Sequence, residues 1–145
     1  MQLSTLSQGT LYVLLALIGI FTLIIWGWQI NVLRGKAMTN PDGSVDSWHE
    51  QKTHYGIAVA DVFFACPANA IAIVLVFVSP RWGTYLLAMA GFWWVWANIM
   101  TTSTSLRFEQ PKITLAWLIV FPTGILIGLA TIAWTVVNFN VIYFP

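Results

Sequence analysis

The sequence predicts an all-α integral membrane protein, with four transmembrane helices in an up-down bundle, the second and third forming a tight hairpin and the second and fourth kinked by proline. Three observations predict it. Hydrophobic residues make up 59% of the 145 and charged residues only 8%, whereas about a quarter of the residues in soluble domains carry charge. Four apolar stretches each reach the roughly 20 residues that a helix needs to cross a hydrocarbon layer about 30 Å thick. Polar residues gather between those stretches, as expected where lipid leaves the helix as the only open structure with a fully satisfied backbone.

The first span covers residues 10–33. No charged side chain occurs in the first 33 residues, so this stretch lacks the basic segment of a secretory signal peptide, and it exceeds the length of such a peptide's apolar core. It reads as a retained helix. A polar loop follows over 34–54, with the turn signal NPDG at 40–43. The second span covers 55–78 and the third 82–102. Only Ser79, Pro80 and Arg81 separate them, and so short a turn forces antiparallel neighbours. The fourth span, 113–139, follows LRFEQPK at 106–112, where Pro111 ends one helix before the next begins. The chain from 1 to 145 therefore reads as a single membrane domain.

Arg34, Lys36, Lys52, Arg107 and Lys112 fall on the side of the first and third loops, and Arg81 alone on the other. The excess of basic residues in cytoplasmic loops then places both termini on the non-cytoplasmic side. Trp26, Trp28 and Trp117 are expected towards the cytoplasmic interface, Trp82 and Trp134 towards the opposite one. A formal charge of +1 offers no basic face for nucleic acid. The single cysteine excludes an internal disulfide or dithiol, and the halves share no motif of the kind an inverted-repeat transporter shows.

His49-Glu50-Gln51-Lys52-Thr53-His54 resembles the helical zinc motif HExxH at first sight, but it is one residue too long. Histidines four apart share a helix face, whereas five apart they diverge by about 140°. The sequence thus predicts no metal site there. Further on, His54, Ala58, Asp61, Ala65, Ala68 and Ala72 follow a 4, 3, 4, 3, 4 spacing along one face of the second span. Small residues mark where another helix approaches closely in lipid, while a carboxylate within a span costs on the order of 3 kcal/mol and usually points inward to a function. Pro67 removes a backbone donor just beyond Asp61, and Pro122 does the same in the fourth span, ahead of the close-approach pair Gly124 and Gly128.

In the third span Thr84, Ala88, Gly91, Val95, Asn98, Thr102 and Ser105 form a small and polar face, with Trp93, Trp94 and Trp96 directed elsewhere. Because the hairpin runs antiparallel, Asp61 is expected level with Asn98 to Thr102, whose amide and hydroxyls would serve its carboxylate. The candidate ligand site is accordingly Asp61, Asn98, Thr101 and Thr102, with Asn69 deeper, His54 at the mouth and Trp94 able to face a flat apolar ligand such as a quinone, carotenoid or sterol-like molecule.

No nucleophile motif, histidine box or phosphate loop occurs, so no catalytic residue is predicted, and the sequence leaves any cofactor unknown. The favoured reading is a non-catalytic bundle, an accessory subunit or apolar-ligand and lipid binder within a larger membrane assembly. Its expected partners are the bilayer, other membrane subunits or further copies of itself, and an apolar small molecule. The alternatives are a small proton- or cation-coupled channel or transporter using Asp61, and an intramembrane enzyme with Asp61 as acid or base.

Overall fold

A computed structural model gives the protein's structure over residues 3–36, 55–107 and 115–144, leaving aside the side chains of 104, 105, 107 and 116–118. The expectations for the NPDG turn, His49, Glu50, His54 and Pro111 lie outside the described residues.

Helix α1, Thr5–Leu33, begins earlier than the apolar run because Ser4 caps it, its hydroxyl accepting from the Ser7 amide at 3.2 Å. It ends at Gly35, whose φ of 70° is the left-handed conformation glycine tolerates. There the Gly35 amide donates to the Val32 carbonyl at 3.0 Å and the Lys36 amide to that of Asn31 at 3.1 Å, the paired bonds that close a helix around a terminal glycine.

Helix α2, Tyr55–Val78, is not α-helical throughout. Asp61–Ala65 is a π-turn, in which the Cys66 amide donates to the Asp61 carbonyl, five residues back. Pro67 follows at once. A proline ring collides with the carbonyl four residues before it, here that of Phe63, and the wider π-turn falls at that point of the helix. A single residue, Ser79, separates α2 from α3, Pro80–Arg107. Ser79 is extended at φ −142° and ψ 78°, as the residue before a proline prefers, and Pro80 occupies the first helical position, where its missing N–H costs nothing. The turn is therefore tighter than three residues. Gly83 makes it possible, since a Cβ there would collide with the backbone of Leu75 and Val76.

Helix α4, Leu115–Val137, holds Pro122 in its interior. It stops short of the expected Phe139, because Asn138, at φ −96° and ψ 8°, breaks the helix and starts the short α5, Phe139–Tyr143.

The helices form a ring in which α1 lies beside α2 and α4, and α3 lies between α2 and α4, the α3–α4 pair being the most extensive. Trp134 Nε1 donates to the Ser7 carbonyl at 2.9 Å, and Tyr143 Oη to the Arg81 carbonyl at 3.3 Å, which draws the start of α1, the hairpin tip and α5 to one end. At the α3–α4 crossing Gly91 and Gly128 face one another, and a Cβ on Gly128 would lie 2.7 Å from the Gly91 carbonyl oxygen. Gly124, the other member of the close-approach pair, receives Asn98, whose side-chain amide would be 2.5 Å from an added Cβ. These glycines act as the sequence predicts.

The core comprises Leu11, Leu14, Leu15 and Ile18 of α1, Ala72 and Val76 of α2, Leu87 and Trp94 of α3, and Ile127 and Trp134 of α4, closed by Ile142 of α5. Among the described residues there is no strand. Among the described residues, three helices are long and apolar enough to cross a membrane: α1, α2, and α4 over Ile119–Val137. Helix α3 has the length, at 28 residues, but its tryptophans and the hydroxyl-rich TTSTS at 101–105 lower its hydropathy.

Candidate functional site

The alanine-lined face of α2 is an interior face. Ala58, Asp61, Ala65 and Ala72 are buried as the spacing predicts, whereas Ala68 is only half-buried. The π-turn adds a residue to the repeat, so Cys66 and Asn69 join the buried set.

Asp61 is 6% exposed, and its carboxylate does not take its partner from α3. Gln29, near the end of α1, donates from Nε2 to Asp61 Oδ2 at 2.8 Å. The expectation that Asn98 to Thr102 serve the carboxylate is thus corrected by the arrangement of the ring. Level position along the hairpin does not bring side chains together when α1 packs against the same face of α2 and when Asn98 is turned towards α4. There its amide lies over Gly124 and donates to the Trp94 carbonyl at 2.7 Å.

Two other candidates do meet. Trp94 Nε1 donates to Asn69 Oδ1 at 3.3 Å, joining α3 to α2 in the middle of the bundle. Trp94 is also packed edge-on against Phe21 of α1, with ring centroids 6.0 Å apart. At 1% exposed it belongs to the interior face rather than to an outer one. Trp96, at 62%, is the tryptophan that faces outward, and Trp93 is half-buried. Trp134 is buried, its Nε1 held by the Ser7 carbonyl near the start of α1.

The hydroxyls fall into two groups. Thr84, Thr101, Thr131 and Thr135 each donate to a carbonyl one turn back, at 2.7 to 3.0 Å, the ordinary way to satisfy a threonine within a helix. Thr22 Oγ1 and Thr102 Oγ1 are buried without a partner. Thr22 lies beside Cys66, whose thiol is directed at the Thr22 carbonyl at 3.9 Å. The candidate residues therefore do not form one site: Asp61 pairs with Gln29 at the α1–α2 seam, Asn69 with Trp94 at the centre, and Asn98 lies against Gly124 of α4.

The sequence reading missed Gln29 and Thr22. Both are uncharged residues at span-compatible positions, seven apart and hence nearly on one bearing of α1, and that shared bearing was the available signal. Among the described residues no three His, Cys, Asp or Glu side chains gather as metal ligands.

The chain matches no family model, no curated protein and no solved structure.

Proposed function

We propose that the chain is a four-span, non-catalytic membrane protein that works as a packing or accessory subunit, offering its outer faces to lipid, an apolar ligand or other membrane subunits. The observation that carries this reading is where the large side chains lie. The interior is filled by Trp94, Ile18 and Leu87, while Phe63, Phe64 and Phe77 of α2, Phe92 and Trp96 of α3, and Leu126 and Val136 of α4 are exposed. Phe64 alone is 77% exposed. Soluble monomers rarely show contiguous apolar patches beyond a few hundred Å², and all four long helices here expose several large apolar side chains.

Helix α3 counts as the fourth span in this reading because it is enclosed by α2 and α4 at full span length. Its tryptophans gain little from water and much from an apolar or interfacial setting. The helices bend at Pro67 and Pro122, and both termini lie on the non-cytoplasmic side, following the basic residues of the first and third loops.

Gentle solubilisation followed by native mass spectrometry tests the reading. The expected result is a complex holding further chains or retained lipid, and a bare monomer overturns it. Accessibility of cysteines introduced at Ser4 and at Lys36 in intact membranes tests the topology: Ser4→Cys is expected to label from the outer side only, Lys36→Cys from the inner side only.

A further inference from the structure

We propose that the protein assembles head to tail with further copies of itself into a ring, each copy seating Phe63 and Phe64 of its α2 against Gly27 on α1 of the next. The inference rests on the reading as a membrane subunit and names the partner, a second copy of this chain.

The projecting half of the contact comes from the π-turn. Phe63 and Phe64 lie inside Asp61–Ala65 and are 71% and 77% exposed, so the local widening of the helix carries two aromatic rings outward. Such turns recur at functional positions, and phenylalanine is enriched at the centres of interfaces. The receiving half is on α1. Gly27 is exposed, and a Cβ added there would meet nothing within 4 Å. The outer ridge of Ile20, Leu23 and Ile24 is thus followed by a gap. A glycine inside a helix is destabilising relative to alanine, and in a membrane a small residue is where another chain comes close.

Bearing and depth relate the two halves. The hydrogen bond between Gln29 and Asp61 marks the sides on which α1 and α2 face one another. Gly27 is two residues from Gln29, and Phe63 two residues from Asp61. At about 100° per residue each lies roughly opposite that contact, so the α1–α2 pair carries the rings at one outer side and the gap at the other. Two contacts fix the level: Gln29 with Asp61, and the Cys66 thiol with the Thr22 carbonyl. Gly27 lies between Thr22 and Gln29, as Phe63 and Phe64 lie between Asp61 and Cys66. Rings and gap are therefore at one depth. Copies inserted in a bilayer share one orientation, and a head-to-tail contact without a change of depth generates a ring rather than a rising filament.

The area available is of the order a stable contact needs. At roughly 200 Å² for each aromatic side chain, Phe63 and Phe64 expose about 300 Å² between them. Ile71, Val74 and Val78, also exposed, continue the same face at helical spacing, towards the roughly 800 Å² that each partner of a specific interface contributes. Neither face sets like charges against one another, because residues 3–33 and 62–78 contain no charged side chain.

The test uses the full chain in liposomes at a low protein-to-lipid ratio, oxidised with iodine. Cys66 is buried, so the wild-type chain is the blank. Gly27→Cys on one tagged copy and Phe64→Cys on a differently tagged copy are expected to cross-link to each other and not to themselves, and the double variant to give a ladder that stops at the ring size. Phe64→Ala and Gly27→Leu, both at exposed positions and so harmless to the fold, are each expected to weaken association by about tenfold or more, read as copy number by single-molecule photobleaching. Cross-linking no greater than the blank, self-linking of Phe64→Cys that matches the mixed pair, or an unchanged copy number in both of the other variants overturns the ring. In native mass spectrometry, a single copy that retains lipid or a different chain sinks the ring and leaves the reading as a membrane subunit standing, whereas a bare monomer removes both.

Discussion

Gly128→Ala is the sharpest probe of how this bundle is held together. The new Cβ would lie 2.7 Å from the Gly91 carbonyl oxygen, 2.8 Å from Val95 Cγ2 and 3.0 Å from Trp94 Cβ. The nearest obstacle is backbone, so no rotamer change relieves it, and α3 and α4 have to part by roughly 0.5 Å or more. A gap of that size forfeits about a quarter of the attraction between facing atoms, along the most extensive helix pair of the fold. Overpacking a close contact costs about 1–3 kcal/mol. With backbone as the obstacle we expect about 2–3 kcal/mol, only partly offset by the gain in helix propensity. Gly19→Ala is the control, because its Cβ would meet only Ile73 Cδ1 at an ordinary 3.7 Å. It should be neutral or stabilising by roughly 0.5 kcal/mol. Reversible unfolding by SDS in mixed micelles, followed by tryptophan fluorescence, measures both. If Gly128→Ala is as stable as the wild type, or Gly19→Ala as damaging, the glycine crossing does not set the α3–α4 distance.

Three further outcomes are expected. A double-mutant cycle between Asn69→Leu and Trp94→Phe should return a coupling of about 0.6–1.7 kcal/mol, the range for hydrogen bonds between membrane helices; zero coupling would mean that the 3.3 Å contact contributes nothing. Trp134→Phe keeps the ring but removes the N–H that ties α4 to the Ser7 carbonyl, and should cost about 1 kcal/mol in the same assay, an unchanged midpoint arguing against the tie. Cys66 is buried, so maleimide should leave it unlabelled in folded protein and modify it fully in SDS; rapid labelling of the folded form would show that the α1–α2 seam opens.

The helices were legible in the sequence because their cause is local. Length and apolarity place α1, α2 and α4, and the end of α2 at Val78 coincides with the expected span. Ends depended on single residues that composition does not weigh: the Ser4 cap, the Gly35 stop and the Asn138 break. The hairpin was legible in outline, but its one-residue turn depended on Gly83 meeting the backbone of α2, a contact between helices that no window of sequence contains.

The interior position of Asp61 was likewise readable from its spacing among alanines, whereas its partner was not. Which helix faces Asp61 depends on the order of helices around the ring, and Gln29 carries no charge to draw attention to it. The same limit explains Trp94. With two neighbouring tryptophans on other bearings, only packing decides which of them turns inward. The π-turn is invisible to a strict 3.6-residue period, and its one sequence trace is Pro67.

The turn at Ser79 has a consequence for how the protein is made. With one non-helical residue between α2 and α3, neither helix has slack to wait in the membrane while the other is still outside, so in the four-span reading the two enter together as a preformed hairpin. The leading tip carries one charged side chain, Arg81, and no other between Val62 and Leu106. A single arginine at mid-bilayer costs on the order of 3 kcal/mol on the insertion scale, which the apolar flanks of both helices offset. In that reading Gly83, which permits the turn, also permits α3, the least apolar of the four long helices, to be carried into the bilayer by α2.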